Sequence, residues 1–215
     1  MKNKIVKGRL NKYLIRRILI GIFVAILGVV CCLFIKDLNS NNSYKKIYNV
    51  KVGKKELKEM KNSLNIQEVD YKWGGMLVSA NNPKKLVIHH AAAENLSPEK
   101  IHEMHLSRGW SGIGYHFYIR SDGTIYRGRD ENKIGSHVYG NNKDTLGICL
   151  EGNFEENGVP KEQLDALINL GTYLSLKYNI SDILRHNDLG STECPGKLFP
   201  FTSTKDLIIE NIKSK

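Results

Sequence analysis

Eighteen consecutive residues without a charge, Ile18 to Ile35 (ILIGIFVAILGVVCCLFI), divide this chain in two. As a helix the run extends roughly 27 Å at 1.5 Å per residue, enough to cross a bilayer core. A helix in a soluble core alternates apolar with polar positions, whereas this one is apolar all round. Seven Lys/Arg and no acid precede it within residues 1–17, and only Lys36 follows closely. The positive-inside rule then puts the N-terminus in the cytoplasm and everything after the run outside. The rival reading is a cleaved signal peptide, with a secreted product. The run is long for a signal h-region and no small-x-small site follows it, so an uncleaved single-pass anchor in the cell membrane is expected.

The chain carries a formal charge of +10 over 215 residues, which invites a nucleic-acid reading. Its distribution argues against one. Residues 1–17 hold seven basic side chains, and residues 36–70 hold eight basic and five acidic ones. Residues 71–215 are left with seventeen of each sign, so the folded part has no bulk field to draw DNA or RNA. The expected organisation is a basic cytoplasmic tail over 1–17 and a transmembrane signal-anchor over 18–35. A polar stalk over 36–70 follows, with a short helix near Lys54–Ser63, and then one monomeric domain over 71–215. The four cysteines (Cys31, Cys32, Cys149, Cys194) show no disulfide spacing.

Within the last segment, Lys85–His89 and Leu146–Leu150 read as strands. Tyr115–Ile119 and Thr124–Arg127 flank Ser-Asp-Gly as a hairpin. SPEKIHEMHLSRG begins as a helix, with Ser97 as N-cap and Pro98 at the first position. Pro160–Tyr178 has a helical apolar face. Strands mixed with helices predict an α/β domain with a central mixed sheet flanked by helices.

Two histidines and a cysteine carry the chemistry. His89 ends the apolar run LVIHHA, and His186 and Cys194 lie eight residues apart in RHNDLGSTECPG. Two imidazoles and a thiolate suit zinc and leave a fourth position open, the mark of a catalytic rather than a structural site. His90 is next to His89 on a strand and faces the other way, so it is not expected to share the ion.

The chain resembles the zinc-dependent N-acetylmuramoyl-L-alanine amidase family, which includes peptidoglycan recognition proteins and small phage amidases. VIHHAA, RGWSGIGYHFYIRSDGTIYRGRD, GSHVYGNN, TLGICLEGNF and RHNDLGSTECPG carry the likeness in family order. The resemblance implies a zinc cleft across the sheet, with His89, His186 and Cys194 as Zn2+ ligands. It implies peptidoglycan as substrate, cut between N-acetylmuramic acid and L-alanine. Tyr115 matches a tyrosine near the metal. Thr192 falls where phage members have a catalytic lysine and animal amidases a threonine. A non-catalytic muropeptide recognition module is the alternative; the presence of Cys194 favours the enzyme.

Further roles are expected by residue type. Glu151 is a candidate general base. Trp110 is a candidate sugar platform, and Arg127 and Arg129 are candidate partners for stem-peptide carboxylates. His137 is expected either to contact substrate or to support a ligand from behind. His116 is expected to face away from the metal, and His102 and His105 to be surface or packing residues.

Overall fold

A computed structural model describes residues 12–47 and 50–215, with side chains of the first helix described over 15–33. The first eleven residues of the expected basic tail lie outside the described residues, as do 48 and 49. Helix α1 (Lys12–Ile47) contains the apolar run. Every described side chain from Ile15 to Leu33 is exposed, and this stretch is long and apolar enough to cross a membrane. A membrane span and a signal sequence share that character. The helix continues beyond Ile35 into polar residues that were expected to belong to a stalk.

The second unit begins in the same polar stretch. Helix α2 (Lys54–Ser63) turns Leu57 and Met60 onto the main apolar cluster, together with Val50, Leu64 and Ile66. Gln67 then hydrogen-bonds the backbone on both sides of Tyr126, at Ile125 O and Arg127 N. Packed structure therefore starts well before Tyr71. The Lys/Asn-rich composition concealed it, because a few apolar residues at helical spacing suffice to dock a short helix.

The sheet has the order β3-β2-β4-β1-β5. Its strands are β1 (Lys85–His90), β2 (Phe117–Ile119), β3 (Ile125–Arg127), β4 (Thr145–Leu150) and β5 (Asp182–Arg185). All neighbours are parallel except the β2–β3 hairpin. Helices α3 (Pro98–Ser107), α4 (Lys161–Tyr178) and α5 (Phe201–Lys213) complete the unit. The Ser97 hydroxyl caps α3 by accepting from Lys100 N.

Strand alternation sorts the two faces. Leu86 and Ile88 of β1, Leu146, Ile148 and Leu150 of β4, and Phe117 and Ile119 of β2 pack with Leu167, Leu170, Leu174, Ile208 and Ile212 from α4 and α5. Tyr118 and Cys149 fall in a second cluster with Tyr71, Ile101 and Ile113, with Tyr115 packed against it. His89 shares the alternation of this second face. Both faces of the central strands are covered, as parallel sheets require, which is why β1 and β4 lack an apolar–polar alternation in sequence.

Candidate metal centre

His89 lies one residue from the carboxyl end of β1, the sheet edge where parallel α/β folds collect ligands. Strand β5 runs parallel beside β1 with Ile88 paired to Arg185, so the next residues in line are His89 and His186. Their ring centroids stand 4.6 Å apart. His186 opens a short 3-10 helix, His186–Asp188, which is closed by the carboxylate of Asp188 accepting from the backbone N–H and guanidinium of Arg185. The chain then folds back: Asn187 N donates to Cys194 O at 3.0 Å, and Cys194 N to the Thr192 hydroxyl at 3.2 Å. This return delivers the Cys194 sulfur to 3.8 Å from His89 Nδ1.

One ligand atom from each of His89, His186 and Cys194 lies within 4.8 Å of the others. It is the group of this kind found among the described residues. Burial, then the neighbouring His186 and His90, holds the His89 imidazole well below its ordinary pKa, and burial lowers His186 too. Both rings are therefore neutral at neutral pH, the form that ligates. Burial pushes the Cys194 thiol up to about 12, opposed by the N–H of His90. A metal entering this group would have to displace the thiol proton. The donor set, two neutral imidazoles and one thiol, fits zinc with a position to spare.

The neighbouring residues divide into those that reach this group and those engaged elsewhere. The Tyr115 ring lies 5.2 Å from that of His89, and burial, then the nearby Cys149 and Cys194, raises its phenol pKa. It is a neutral hydrogen-bond donor. Trp110 is 41% exposed and packs on His105 at 4.6 Å, which in turn packs 5.5 Å from Tyr115. His90 is turned away and accepts from Phe154 N at its Nδ1. His116 is held between Gly147 N and Lys133 O, a scaffold position.

Three expectations are corrected. Glu151 is 2% exposed and both carboxylate oxygens are occupied: one accepts from Leu96 N, the other from Arg120 Nε and Ser121 N. It ties three segments together and is not free to take a proton from water. Arg127 is buried and divided between Glu68 and Glu131, with its guanidinium over the Phe117 ring, so its charge is already paired within the fold rather than held open for a stem-peptide carboxylate. Its neighbour Arg129 donates to the carbonyls of Ile113 and Ile134 and joins two loops. His137 is buried, with Nδ1 3.0 Å from His89 Nε2 and Nε2 3.2 Å from Thr145 Oγ1. Both ring nitrogens are engaged, one of them on His89, which fits the second of the two roles expected for it, support of a ligand from behind.

Sequence reasoning missed His105 as the buried link between Trp110 and Tyr115, and missed Thr145 entirely. His105 sits one helical turn after Ile101, a spacing that signals a shared buried face, but the charged residues around it on α3 mask that pattern. Its ring is inside because Nδ1 accepts from Gly114 N across the loop.

The Amidase_2 family, described as N-acetylmuramoyl-L-alanine amidase, matches residues 79–197. The endolysin of Klebsiella phage KP32 is 36% identical over 109 residues, 48% of this chain and 72% of its own length. Peptidoglycan-recognition protein SC2 of Drosophila melanogaster is 33% identical over 141 residues, 58% of this chain and 77% of its own. The solved structure of the endolysin N-acetylmuramoyl-L-alanine amidase LysCS from Clostridium intestinale superposes with a TM-score of 0.65. It is 54% identical and covers 66% of this chain and 93% of that one.

Proposed function

The chain belongs to the N-acetylmuramoyl-L-alanine amidase family, and from that membership we propose that it is a zinc-dependent peptidoglycan hydrolase. The bond cleaved is the amide between the lactyl group of N-acetylmuramic acid and the L-alanine of the stem peptide. The observation that carries the reading is the gathering of His89, His186 and Cys194, whose chemistry suits a zinc ion with one position open. Bound there, zinc would supply Lewis acidity, activating water near neutral pH and polarising the scissile carbonyl.

The chain's own residues have separate tasks. Tyr115, kept protonated by its burial, donates a hydrogen bond to the oxygen that gains charge as the carbonyl is attacked. Trp110 is 41% exposed, and the open part of its ring can contact sugar or peptide. Thr192 holds the turn that aims Cys194 by accepting from Cys194 N, and its hydroxyl is too weak an acid to serve as a proton donor.

The test uses the full chain in detergent, a defined muramyl-peptide and mass spectrometry. Release of a peptide with a free L-alanine amine is expected with zinc, lost with a chelator and restored on adding zinc back. Zinc-bound protein that leaves polymeric wall and soluble muropeptide intact, yet retains both, would replace this reading with a recognition module. The similarity to a peptidoglycan-recognition protein makes that the second reading.

The apolar stretch within Ile15–Leu33 and the preceding basic residues support an anchored enzyme with its folded unit outside the cell. Tethering would then keep the enzyme concentrated at the wall. Protease added to intact protoplasts should digest the folded unit. Full protection would reverse the orientation, and release of the unit into the medium would identify the helix as a cleaved signal.

A further inference from the structure

A line of polar atoms leads away from the candidate metal centre. His89 Nε2 lies 3.0 Å from His137 Nδ1, and His137 Nε2 lies 3.2 Å from the Thr145 hydroxyl. That hydroxyl in turn is 3.0 Å from the carbonyl of Asn141 and 2.9 Å from that of Asn142. Carbonyl oxygens only accept, and a threonine hydroxyl has a single proton. With two carbonyls at its donor side, Thr145 gives its proton to them and presents a lone pair to His137. His137 must then carry its hydrogen on Nε2, which leaves Nδ1 as an acceptor. His89 therefore donates from Nε2, and its Nδ1 lone pair is left facing the Cys194 sulfur 3.8 Å away.

The surroundings are built for this line. The side chain of Asn142 accepts from the N–H groups of His137 and Val138, closing the loop that presents both His137 and the two carbonyls. A Cβ at Gly147 would stand 2.6 Å from His137 Cγ, and one at Gly135 would stand 2.5 Å from its Cδ2, so only glycine leaves room for the ring. Thr145 is the first residue of β4 and is paired with Lys85 of β1, the strand that carries His89. Both ends of the line are thus anchored in the same pair of parallel strands.

We propose that His137 and Thr145 are positioning residues: together they order the hydrogens so that His89 is held as its Nε2–H tautomer, ready to ligate through Nδ1. The proposal rests on the zinc reading of the site. Its source is the hydroxyl of Thr145, because a second histidine can accept or donate equally well until its far nitrogen is assigned.

The test compares wild type with Thr145→Val, which keeps the shape and removes the hydroxyl, and Thr145→Ser, which restores it. Full-length protein in detergent, labelled with 15N-histidine and free of metal, reports the His89 tautomer through long-range 1H–15N correlations. Zinc affinity is measured on the same samples by competition with a chromophoric chelator. Wild type and Thr145→Ser should show a protonated Nε2 and a bare Nδ1 at His89. Thr145→Val should show mixed tautomers and bind zinc roughly 10–100-fold more weakly. A wild type with its hydrogen on Nδ1 would overturn the proposal, as would a Thr145→Val protein with the wild-type spectrum. If Thr145→Val fails to fold, the wild-type tautomer and the Thr145→Ser affinity still decide it: an Nδ1–H wild type, or a Thr145→Ser that loses zinc, overturns the proposal. If wild type binds no zinc at all, the metal reading falls, while the metal-free spectrum still judges the relay.

Discussion

Cys194→Ser is expected to leave the protein folded and to remove zinc binding and hydrolysis together. The thiol is buried and accepts from His90 N at 3.3 Å, and a serine oxygen is smaller and can accept from the same N–H. Folding is therefore not the casualty. Ligation is, because a serine hydroxyl does not ionise as readily as a thiol and lacks the softness that suits zinc. Loss of zinc should exceed the roughly 10–100-fold that removing a supporting partner costs. Turnover should fall by more than the ~10²–10³-fold attached to a single oxyanion donor, since the metal acts on both water and carbonyl. Zinc content by atomic absorption, with peptide release on the same sample, checks both. Full zinc occupancy in the variant would remove Cys194 from the ligand set.

Glu151→Ala is expected to do the reverse, harming the fold more than the chemistry. Arg120 is 31% exposed at its side chain, so its charge recovers water when the partner is removed. The larger loss is at Leu96 N and Ser121 N, two backbone donors left without an acceptor. At ~1–3 kcal/mol for each orphaned buried group, and with Ser121 exposed enough for water to recover part of its loss, the total is about 3 kcal/mol. For a unit of this size that lowers Tm by roughly 6–12 °C. Activity per folded molecule, measured well below that Tm, should change little. A drop of ~10²–10⁴-fold at full foldedness would reinstate Glu151 as a proton-transfer group. Thermal melts and kinetics on one preparation separate the two outcomes.

Glu151 also illustrates where reading a sequence stops. Its place near the end of an apolar strand was legible, and so was its candidacy for the cleft. Its partners come from residues 96, 120 and 121, and only strand register brings them to one carboxylate. Arg127 failed as a substrate ligand for the same reason: Glu68 lies 59 residues away and in a stretch whose composition reads as solvated chain. Strand β5 is too short to show a pattern, whereas helix α5 carries one, with Thr204, Ile208 and Ile212 a turn apart, that the sequence reading passed over. Thr145 carried no signal at all, since a threonine opening a strand is ordinary until a histidine turns toward it.

The amino-acid sequence by itself determined the features that depend on neighbours along the chain. These are the uncharged run and its flanking charges, the neutral balance of the folded part, the mixture of strands and helices, and the identity of His89, His186 and Cys194 as a chemically coherent set. The tertiary structure alone decided which of these residues meet. Pairing of Ile88 with Arg185 sets His186 beside His89, and the return of the loop at Cys194 brings the sulfur to them across 105 residues of chain. It also decided that residues 50–70 pack on the domain, and that Glu151, Arg127 and His137 are engaged by partners within the fold. Periodicity and charge are local properties of a chain, whereas hydrogen-bond partners are set by register between distant strands, and register is a property of the assembled sheet.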